Sequence, residues 1–351
     1  MEPPLVSIIT INYNEVEMTT RCLERLRALT YPNVEVFAVD NASAEGQAKA
    51  LAERFPEVTV IANDTNDGFA GGNNVALRRA RGQYVLLLNN DALPEPGLLE
   101  PLVETMEARP DVGIASPKIV FAGGEGGDEP SRIQYAGSAP INPYTGRSHT
   151  VGYGEPDDGR FDEPGRTHLA HGAAMMIRRS VFADIGLLAE DYFLYYEEHD
   201  FTERAKRAGY AVYYDARATV RHEASVSVGR HSPLKAHYMT RNRLLYLRRN
   251  VQGEAFLFSA LVYWVLAVPK QLLTLLVAGE GERFWATARG AAWHLRHAFD
   301  DVQGQCALPD AGPEDGAPAA APDPQDASPA ASVSTAYPAL AQRSRGDGTT
   351  A

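Results

Sequence analysis

The amino-acid sequence predicts an α/β fold in which helices cover a largely parallel sheet. The first ninety residues alternate short apolar runs, rich in β-branched residues, with helical patterns, which is typical of such a sheet. Two acidic residues, Asp40 and Asp91, follow directly after predicted strands, at the edge where open α/β sheets bind ligands. The sequence has no internal repeat, which excludes solenoids and propellers.

The predicted elements follow one another in a regular order up to residue 91. Strands are expected over residues 6–11, 34–39, 58–61 and 84–88, and helices over about 16–29, 47–55 and 70–81. Residues 122–166 are rich in Gly, Pro, Asp and Ser, which predicts a long irregular excursion with little core. After it we expect an apolar run over 173–177, a helix over about 198–208 and a strand over 211–214.

Composition limits the class of protein. With 351 residues, of which 44% are hydrophobic, the chain can bury a substantial core. The formal net charge of −12 argues against a general nucleic-acid binder, because phosphate contacts need clustered Lys and Arg. The two cysteines, Cys22 and Cys306, are too few for a disulfide framework or a cysteine metal cluster. These features, together with an N-terminus that does not resemble a secretory signal, predict a cytoplasmic protein.

A continuous apolar run over residues 255–278 is interrupted by Pro269, Lys270 and Gln271. A kinked interfacial helix beside the basic stretch 241–249 would hold the protein at the inner face of the cell membrane. A buried helix-pair interface, for example in a homodimer, explains the same residues. We expect peripheral membrane contact.

Two segments at the predicted sheet edge could hold a nucleotide. Asp40 in VDNAS ends the second strand and can accept hydrogen bonds from a ribose or a base, although an Asx turn would also use it. Asn66 to Asn74 combine glycines and amides before a helix, whose N-terminal N–H groups can bind an anion or form an ordinary cap. The sequence argues against an enzyme that transfers hydride to a dinucleotide. Such folds have a glycine-rich turn after the first strand, and this chain has NYNEVEM there.

A metal site is predicted where Asn89, Asn90 and Asp91 follow a buried strand. A carboxylate at that edge can hold Mg²⁺ or Mn²⁺, which bridges the two phosphates of a sugar nucleotide, although Asn-Asp also forms common turns. His222 in VRHEAS follows a strand-like run and is the second candidate metal ligand, with a structural role as the alternative.

Acidic residues cluster at the start of a predicted helix in YYEEHD. Glu197 and Asp200 are three residues apart and share a helix face, while Glu198 points elsewhere. Any of the three carboxylates could act as general base towards a hydroxyl, although acids also complement a helix dipole in the first turn. Arg241 and Arg243 could clamp a phosphate, or they could lie on a solvated helix face.

Five motifs, in this order and at these distances, resemble glycosyltransferase family 2, and most closely its bacterial rhamnosyltransferase-like branch. They are VSIITINYN, VDNAS, NDGFAGGNN, LLLNND and FLYYEEHDFTERAKRAGY, and the resemblance covers about residues 5–245. The resemblance implies a GT-A fold, which is a Rossmann-like mixed sheet flanked by helices. It also implies a nucleoside-diphosphate sugar donor, a divalent cation, and single-displacement transfer to a hydroxyl with inversion.

The resemblance also divides the chain into regions. It implies a catalytic domain over 1–225, with a nucleotide-sugar half at about 1–120 and an acceptor and base half at about 170–225. A helical C-terminal region is expected over 226–300, and the composition of 301–351, rich in Ala, Pro, Asp, Ser and Gly, predicts a disordered tail.

Position by position, the resemblance assigns roles to the candidate residues. Asp40 would contact the base or ribose, and Asp91 corresponds to the last acid of the DxD metal motif, whose first acid is replaced by Asn89. Glu198 is the expected general base, with Asp200 as the runner-up. The other residues expected to bind the nucleotide sugar are Thr10, Asn12, Asn14, Asn41, Gly68, Phe69, Gly71, Asn73, Asn90, Arg241 and Arg243.

The segment GFAGGNN resembles rhamnosyltransferase-like members, which points to dTDP-rhamnose as donor. The Gln-x-x-Arg-Trp motif of processive synthases is not evident, so we expect transfer of one or a few sugars to a glycan or lipid-linked acceptor. Two alternatives stay open. A nucleotidyltransferase would need a glycine-rich basic loop after the first strand, and a non-catalytic sugar-nucleotide-binding relative would fit the substitutions Asn89 and Glu198.

Overall fold

One mixed sheet forms the centre of the protein, and in the computed structural model the described residues, 2–122, 131–223 and 232–298, give it ten strands. The strands are β1 (Val6–Asn12), β2 (Val34–Asn41), β3 (Thr59–Asn63), β4 (Tyr84–Leu88), β5 (Ala92–Pro94), β6 (Val112–Phe121), β7 (Ile133–Tyr135), β8 (Gly165–Thr167), β9 (Ala174–Arg178) and β10 (Ala211–His222). Their order across the sheet is β3-β2-β1-β4-β9-β6-β10-β5, with β7 beside β6 and β8 beside β10.

Helices cover both faces of this sheet. They are α1 (Val16–Leu26), α2 (Gln47–Arg54), α3 (Gly68–Leu77), α4 (Leu99–Ala108), α5 (Arg179–Ile185) and α6 (Glu197–Arg207), with a 3₁₀ turn at Glu190–Tyr192. The neighbouring residues Ile8 and Ile9 of β1 are both fully buried, because they point to opposite faces. Ile8 packs with α1, α2 and α4, and Ile9 packs with α3, α5 and α6.

The predicted α/β fold is confirmed. β1 lies parallel to both β2 and β4, and β2 lies parallel to β3, so the carboxyl ends of these strands meet at one edge. β9 pairs antiparallel with β4 and β6, which makes the sheet mixed. The sequence patterns do not single out β5, α4 and β6, which fill residues 92–121.

β10 is longer than predicted, since it continues past residue 214 to His222. The polar residues at 215 and 217 break the apolar alternation, and the register against β6 shifts between Asp215 and Thr219. Asp215 is nevertheless fully buried, because Thr105 Oγ1 donates to it at 2.6 Å and Arg217 Nη2 donates at 2.8 Å. These partners let the strand continue through a charged position.

The excursion after β6 is mostly irregular, as predicted, over the part of it that is described. The expectation of little core is wrong for residues 133–136, because Ile133, Tyr135 and Ala136 are buried. Ile133 and Tyr135 belong to β7, which extends the sheet. The hydroxyl of Tyr135 donates to the carbonyl of Leu169 at 2.6 Å. Residues 123–130 of this excursion lie outside the described residues.

The C-terminal region is helical, as predicted, in α7 (Pro233–Asn250), α8 (Gly253–Val262), α9 (Val268–Val277) and α10 (Gly281–Arg296). Helices α8 and α9 are continuous through a π-helical stretch, Tyr263–Ala267, directly before Pro269. The wider turn fits a proline that cannot donate to the carbonyl four residues earlier.

Within the described residues, the run Gly253–Val277 is long and apolar enough to cross a membrane, and 17% of its most apolar part is buried. The expected boundary at 225 and the tail 301–351 lie outside those residues.

Candidate active site

The ends of β1 and β2 bring Asn12 and Asp40 together, as neighbours in register. Asn12 Nδ2 donates to Oδ1 of Asp40 at 2.6 Å, and the backbone N–H of Ser43 donates to Oδ2 at 3.2 Å. The Ser43 hydroxyl accepts from the N–H of Asn14 at 2.9 Å, and Oδ1 of Asn14 accepts from the N–H of Ala44 at 2.8 Å. Asn12, Asn14 and Asp40 therefore form one hydrogen-bonded group at the predicted edge of the sheet.

Asn41 connects this edge to the start of α3. Its Nδ2 donates to Oδ1 of Asn66 and to the carbonyl of Gly68, both at 2.9 Å. Gly68 has a φ of +69°, and a Cβ there would lie 2.2 Å from the carbonyl oxygen of Phe193, so only glycine fits. That same carbonyl accepts the N–H of Phe69 at 2.6 Å. The first turn of α3 is thus joined to the segment that precedes α6.

The remaining small and amide residues of this half are used in packing. A Cβ on Gly71 would lie 2.5 Å from Cβ of Asp67, and Asn73 Nδ2 donates to the carbonyl of Phe69 at 2.9 Å. Thr10 is fully buried inside β1, two positions before the strand ends.

Asp91 and His222 form a buried pair where β4 and β10 end. Nε2 of His222 lies 2.9 Å from Oδ1 of Asp91, and Nδ1 lies 2.9 Å from Oε1 of Gln134. Asn90, next to Asp91, donates to the hydroxyl of Thr19 at 3.0 Å. The strand pairing of His222 with Ala92 sets this arrangement, because it fixes the two backbones side by side.

The Asp91–His222 pair fits two ligands of a divalent cation. The two groups are hydrogen-bonded at 2.9 Å, and a carboxylate oxygen and an imidazole nitrogen side by side are both ligands that a divalent cation takes in proteins. Gln134 occupies the other ring nitrogen, as expected of an outer partner that orients a metal-binding imidazole. No group of three or more His, Cys, Asp or Glu close enough to hold a metal occurs among the described residues, so further ligands would have to come from substrate and water.

Two adjacent glutamates at the start of α6 differ in their protonation. Burial, and then the charge of Glu198, raise the pKa of Glu197 well above its usual value, which favours the neutral form of this carboxyl. Burial also acts to raise the pKa of Glu198, but His199 at 3.1 Å, and then His171, leave that pKa below its usual value. The two environments shift the pKa values in opposite directions, and Glu198 is the carboxyl whose ionised form, the form that a general base needs, is favoured.

Tyr195 and His171 connect these acids to the Asp91–His222 pair. Burial, followed by the charges of both glutamates and of Asp91, raises the pKa of the Tyr195 hydroxyl. Burial also lowers the pKa of His171 to about 4, and the charges of His222, Glu198 and Asp91 act on the same ring. The His171 and His222 ring centroids are 6.0 Å apart. The structure thus brings the acids of α6 and the pair at the sheet edge within electrostatic reach of one another.

Asp200 lies in a different environment from the two glutamates. Nε of Arg204 donates to its Oδ2 at 2.8 Å, and the Tyr192 hydroxyl and Asn250 Nδ2 donate to its Oδ1 at 3.3 Å and 3.0 Å. Both carboxylate oxygens are therefore engaged inside the protein, where they connect α6 to the end of α7.

Arg241 and Arg243 are buried in α7 and donate to backbone carbonyls. Nη2 of Arg241 donates to the carbonyl of Tyr192 at 2.9 Å and to that of Asp191, and burial lowers the pKa of its guanidinium to about 10. Nε of Arg243 donates to the carbonyl of Thr145 at 2.5 Å. These contacts fix the chain segments around residues 191–192 and 145.

Three residues that the sequence patterns did not single out belong to the site. His171 stands alone before the strand β9, and its only sequence signal is a polar residue at the start of an apolar run. Gln134 lies between Ile133 and Tyr135, where the alternation of polar and apolar residues was a strand signal inside the excursion. Tyr195 lies within a recognised motif, but its type gives no hint that the charges of Glu197, Glu198 and Asp91 raise the pKa of its hydroxyl.

The fold and this site define a class of protein. A mixed α/β sheet carries a carboxylate and a histidine at the carboxyl ends of β4 and β10, and Glu198 from a later helix packs against Gly172, next to the His171 ring that lies beside His222. Enzymes that bind nucleotide ligands at the edge of such a sheet have this layout.

Comparisons with known proteins identify the family. The family model described as Glycosyl transferase family 2 matches residues 7–186. The chain is 25% identical over 252 residues to an N-acetylglucosaminyl-diphospho-decaprenol L-rhamnosyltransferase of Mycobacterium tuberculosis, which covers 67% of this chain and 81% of that protein. It is 29% identical over 209 residues to a low-salt glycan biosynthesis hexosyltransferase of Haloferax volcanii, with 58% and 62% covered.

A solved structure supports the same fold. The crystal structure of GalNAc-T7 with UDP, GalNAc and Mn²⁺ matches with a TM-score of 0.51 and 19% identity, over 62% of this chain and 44% of that one. The chain belongs to glycosyltransferase family 2 and has the GT-A fold that the sequence motifs imply. It is a glycosyltransferase, so the nucleotidyltransferase and the non-catalytic relative are set aside.

Proposed function

We propose that the protein is an inverting, metal-dependent glycosyltransferase. It transfers a sugar, L-rhamnose in our proposal, from a nucleoside-diphosphate donor to a hydroxyl of a glycan or lipid-linked acceptor. The observation that carries the proposal is the position of Glu198: its side chain packs against Gly172, and the neighbouring His171 ring lies 6.0 Å from the ring of His222 in the Asp91–His222 pair. These are the groups that a displacement at a sugar carbon needs, namely a base and a place for the leaving diphosphate.

The nucleoside would lie against the ends of β1 and β2. Asp40 already accepts hydrogen bonds from Asn12 and from the backbone of Ser43, but each carboxylate oxygen can accept more than one. The free lone pairs suit a ribose hydroxyl or a base N–H. The GalNAc-T7 structure that shares this fold was solved with UDP, which supports a nucleotide ligand. Asn14 and Asn41 shape the loops on either side.

Asp91 and His222 would hold Mg²⁺ or Mn²⁺ together with the donor diphosphate. When bound, the cation neutralises the charge that develops on the leaving diphosphate. The contact between Asn90 and Thr19 keeps the turn after β4 in place, so that the Asp91 carboxylate stays directed at His222. The imidazole is oriented by Gln134, which fixes the nitrogen that faces the site.

Glu198 acts as the general base in this proposal. Its ionised carboxylate removes the proton of the acceptor hydroxyl while that oxygen forms a bond to the anomeric carbon. The bond from that carbon to the diphosphate oxygen breaks at the same time, and the diphosphate leaves with the electron pair. Attack from the opposite side inverts the configuration. Glu197 stays protonated beside it, and Asp200, engaged by Arg204, serves to hold α6.

The sugar and the acceptor are proposed from the relative in Mycobacterium tuberculosis, whose name describes rhamnosyl transfer to a decaprenol-linked diphosphate sugar. An acceptor of that kind is bound to a membrane. The exposed side of α8, the π-helical stretch and α9 is largely apolar, although Glu254, Lys270 and Thr274 are exposed there too. These apolar residues are more than half exposed: Leu257, Phe258, Leu261, Val265, Leu266, Leu273, Leu276 and Val277. We propose that this face contacts the inner side of the cell membrane peripherally, and a homodimer interface is the alternative occupant.

A panel of nucleotide sugars tests the proposal. Each donor is added to the purified protein with Mn²⁺, and the melting temperature and the release of nucleoside diphosphate are measured. We expect dTDP-rhamnose to give the largest stabilisation and an α-to-β or β-to-α inverted product by NMR. A product that retains the configuration of the donor would rule out the single displacement described here. A preference for another donor would rule out rhamnose as the transferred sugar and leave the rest of the proposal in place.

A further inference from the structure

The segment between the 3₁₀ turn and α6 is held by one side chain of α7. Asn242 is fully buried, and its Nδ2 lies 2.9 Å from the carbonyl oxygen of Tyr192, 2.8 Å from that of Leu194 and 2.8 Å from that of Tyr195. The two amide hydrogens are therefore shared among three acceptors. Its Oδ1 accepts from Nε of Arg241 at 2.8 Å, so both ends of the amide are satisfied.

The backbone that Asn242 holds has an unusual conformation. Phe193, Tyr195 and Tyr196 have φ angles of 62°, 69° and 76°, in the left-handed region that residues with a Cβ rarely adopt. Three such residues within four positions persist only when the surroundings fix them, and such strain concentrates at functional sites. The carbonyls bound by Asn242 lie directly before Phe193, directly after it, and on Tyr195 itself.

This strained segment, residues 192–196, connects the two halves of the candidate active site. At its beginning, the carbonyl of Phe193 accepts the N–H of Phe69 at the start of α3. At its end, the carbonyl of Tyr196 accepts the N–H of Asp200 at 2.9 Å, which is the first hydrogen bond of α6. The direction in which α6 begins, and with it the direction of the Glu198 carboxylate, is therefore set by this segment.

We propose that Asn242 is a positioning residue for the general base. Its amide keeps residues 192–196 in the strained conformation that directs Glu198 at the acceptor, and Arg241 supports it through the carbonyl of Tyr192. This inference rests on the proposed function, in which Glu198 is the base. Packing alone does not require the amide, because Leu244, Leu245 and Leu247 already anchor α7 in the core.

The test compares Asn242→Asp and Asn242→Ala with the control Thr240→Val. Asp keeps the shape of Asn but places oxygens against three carbonyl oxygens, and Ala removes the donor without adding charge. Thr240 is a buried polar residue of the same helix, and its hydroxyl donates to the carbonyl of Ala236 within that helix. Hydrogen exchange at the amide of Asp200 reports the start of α6, and kinetics with the donor report the reaction.

We expect faster exchange at Asp200 in both Asn242 variants, with kcat lower by about 10- to 100-fold and the donor KM changed by less than about threefold. The acid limb of the pH profile of kcat/KM should also move, because Glu198 changes its neighbours. Thr240→Val should resemble the wild type in all three measurements.

Each other outcome decides against a stated part of this inference. Unchanged exchange at Asp200 in a folded Asn242→Ala would show that Asn242 does not hold residues 192–196. Faster exchange with unchanged kcat and an unchanged pH profile would show that Asn242 holds this segment but does not position the base. A wild-type protein without transfer to any acceptor would instead remove the proposed function, while the exchange experiment would still decide whether Asn242 holds the segment.

Discussion

Nε2 of His222 lies 2.9 Å from Oδ1 of Asp91, although 131 positions separate the two residues in the chain. The contact exists because β5, which follows Asp91 directly, pairs antiparallel with the end of β10. A carboxylate after a buried strand is a common turn, and a single histidine is more often structural than functional. Asp91 and His222 lie buried side by side at the ligand edge of a GT-A sheet, and this combination supports the proposal of a cation site there.

Loss of either member of this pair should weaken the response to metal. We expect Asp91→Ala to lower transfer by at least about 100-fold and His222→Ala by about 10- to 100-fold, since the first removes charge and the second a neutral ligand. The measurement is the Mn²⁺ concentration that gives half-maximal activity. Asp111→Ala is the control, because Asp111 forms an exposed ion pair with Arg166. Full activity and an unchanged Mn²⁺ requirement in His222→Ala would leave that histidine with a structural role only.

Replacement of the two glutamates should have unequal effects on activity. Glu198→Gln removes the proposed base and should lower kcat by about 10²- to 10⁴-fold. Glu197→Gln keeps a neutral group in place of a neutral group, because the pKa of Glu197 is raised, so its kcat should stay within about threefold of the wild type. His199 holds the pKa of Glu198 below its usual value, so kcat/KM should stay level through mildly acidic pH and fall only at more acidic pH. Equal losses in both variants would contradict this assignment.

The raised pKa of Glu197 also predicts how stability depends on pH. The folded protein keeps this proton above pH 4.5, where an unfolded chain loses it, so the contribution to stability is complete below pH 4.5 and is lost as the pH rises through the folded pKa. Glu197→Gln should therefore be more stable than the wild type at pH 7, with a melting temperature higher by at least about 2 °C.

That gain should shrink as the pH falls and disappear well below pH 4.5, where the carboxyl is neutral in both states. Glu53→Gln is the control, since Glu53 is exposed and pairs with Lys49 at 3.7 Å on the surface of α2. A melting temperature for Glu197→Gln that is lower than the wild type at every pH would mean that the ionised form is stabilised by a partner in the protein.

The sequence predicts the fold and the residues of the sheet edge because they depend on local patterns. Asp40 and Asp91 follow apolar strands, and parallel strands bring their carboxyl ends together without knowledge of side-chain contacts. The acids of α6 are recognised in the same way, from their place at the start of a helix. Each of these signals lies within about ten residues of the chain, and the rule that parallel strands end at the same edge of a sheet brings them together.

The partners of those residues could not be predicted, because they depend on long-range pairing. Gln134 reaches His222 through a short strand inside a segment whose composition indicates irregular structure. Arg241 is a basic residue on a helix, and the choice between a phosphate and backbone carbonyls depends on the position of α7 against residues 191–192. Its burial, which the spacing of charges along the helix does not reveal, is what decides between them.

Substitutions on the apolar face of α8 and α9 should release the protein from membranes without unfolding it. Leu261 and Leu276 are 58% and 64% exposed, so exchange of both for Asn removes little core packing. Each Leu that enters the bilayer boundary contributes about 1.5–3 kcal/mol when fully buried, so the double variant should bind anionic vesicles at least about tenfold more weakly. Vesicle flotation measures this, with unchanged melting temperature as the check on folding.

The control for this experiment is Tyr153→Asn, since Tyr153 is 61% exposed on the excursion after β6 and should not affect vesicle binding. Light scattering on the same samples distinguishes the alternative occupant of the face. A dimer in the wild type that becomes a monomer in the double variant, with no vesicle binding by either, would show that a second copy of the chain covers these leucines. In that case the acceptor would not need to lie at a membrane, because a subunit interface would account for the exposed apolar side of both helices.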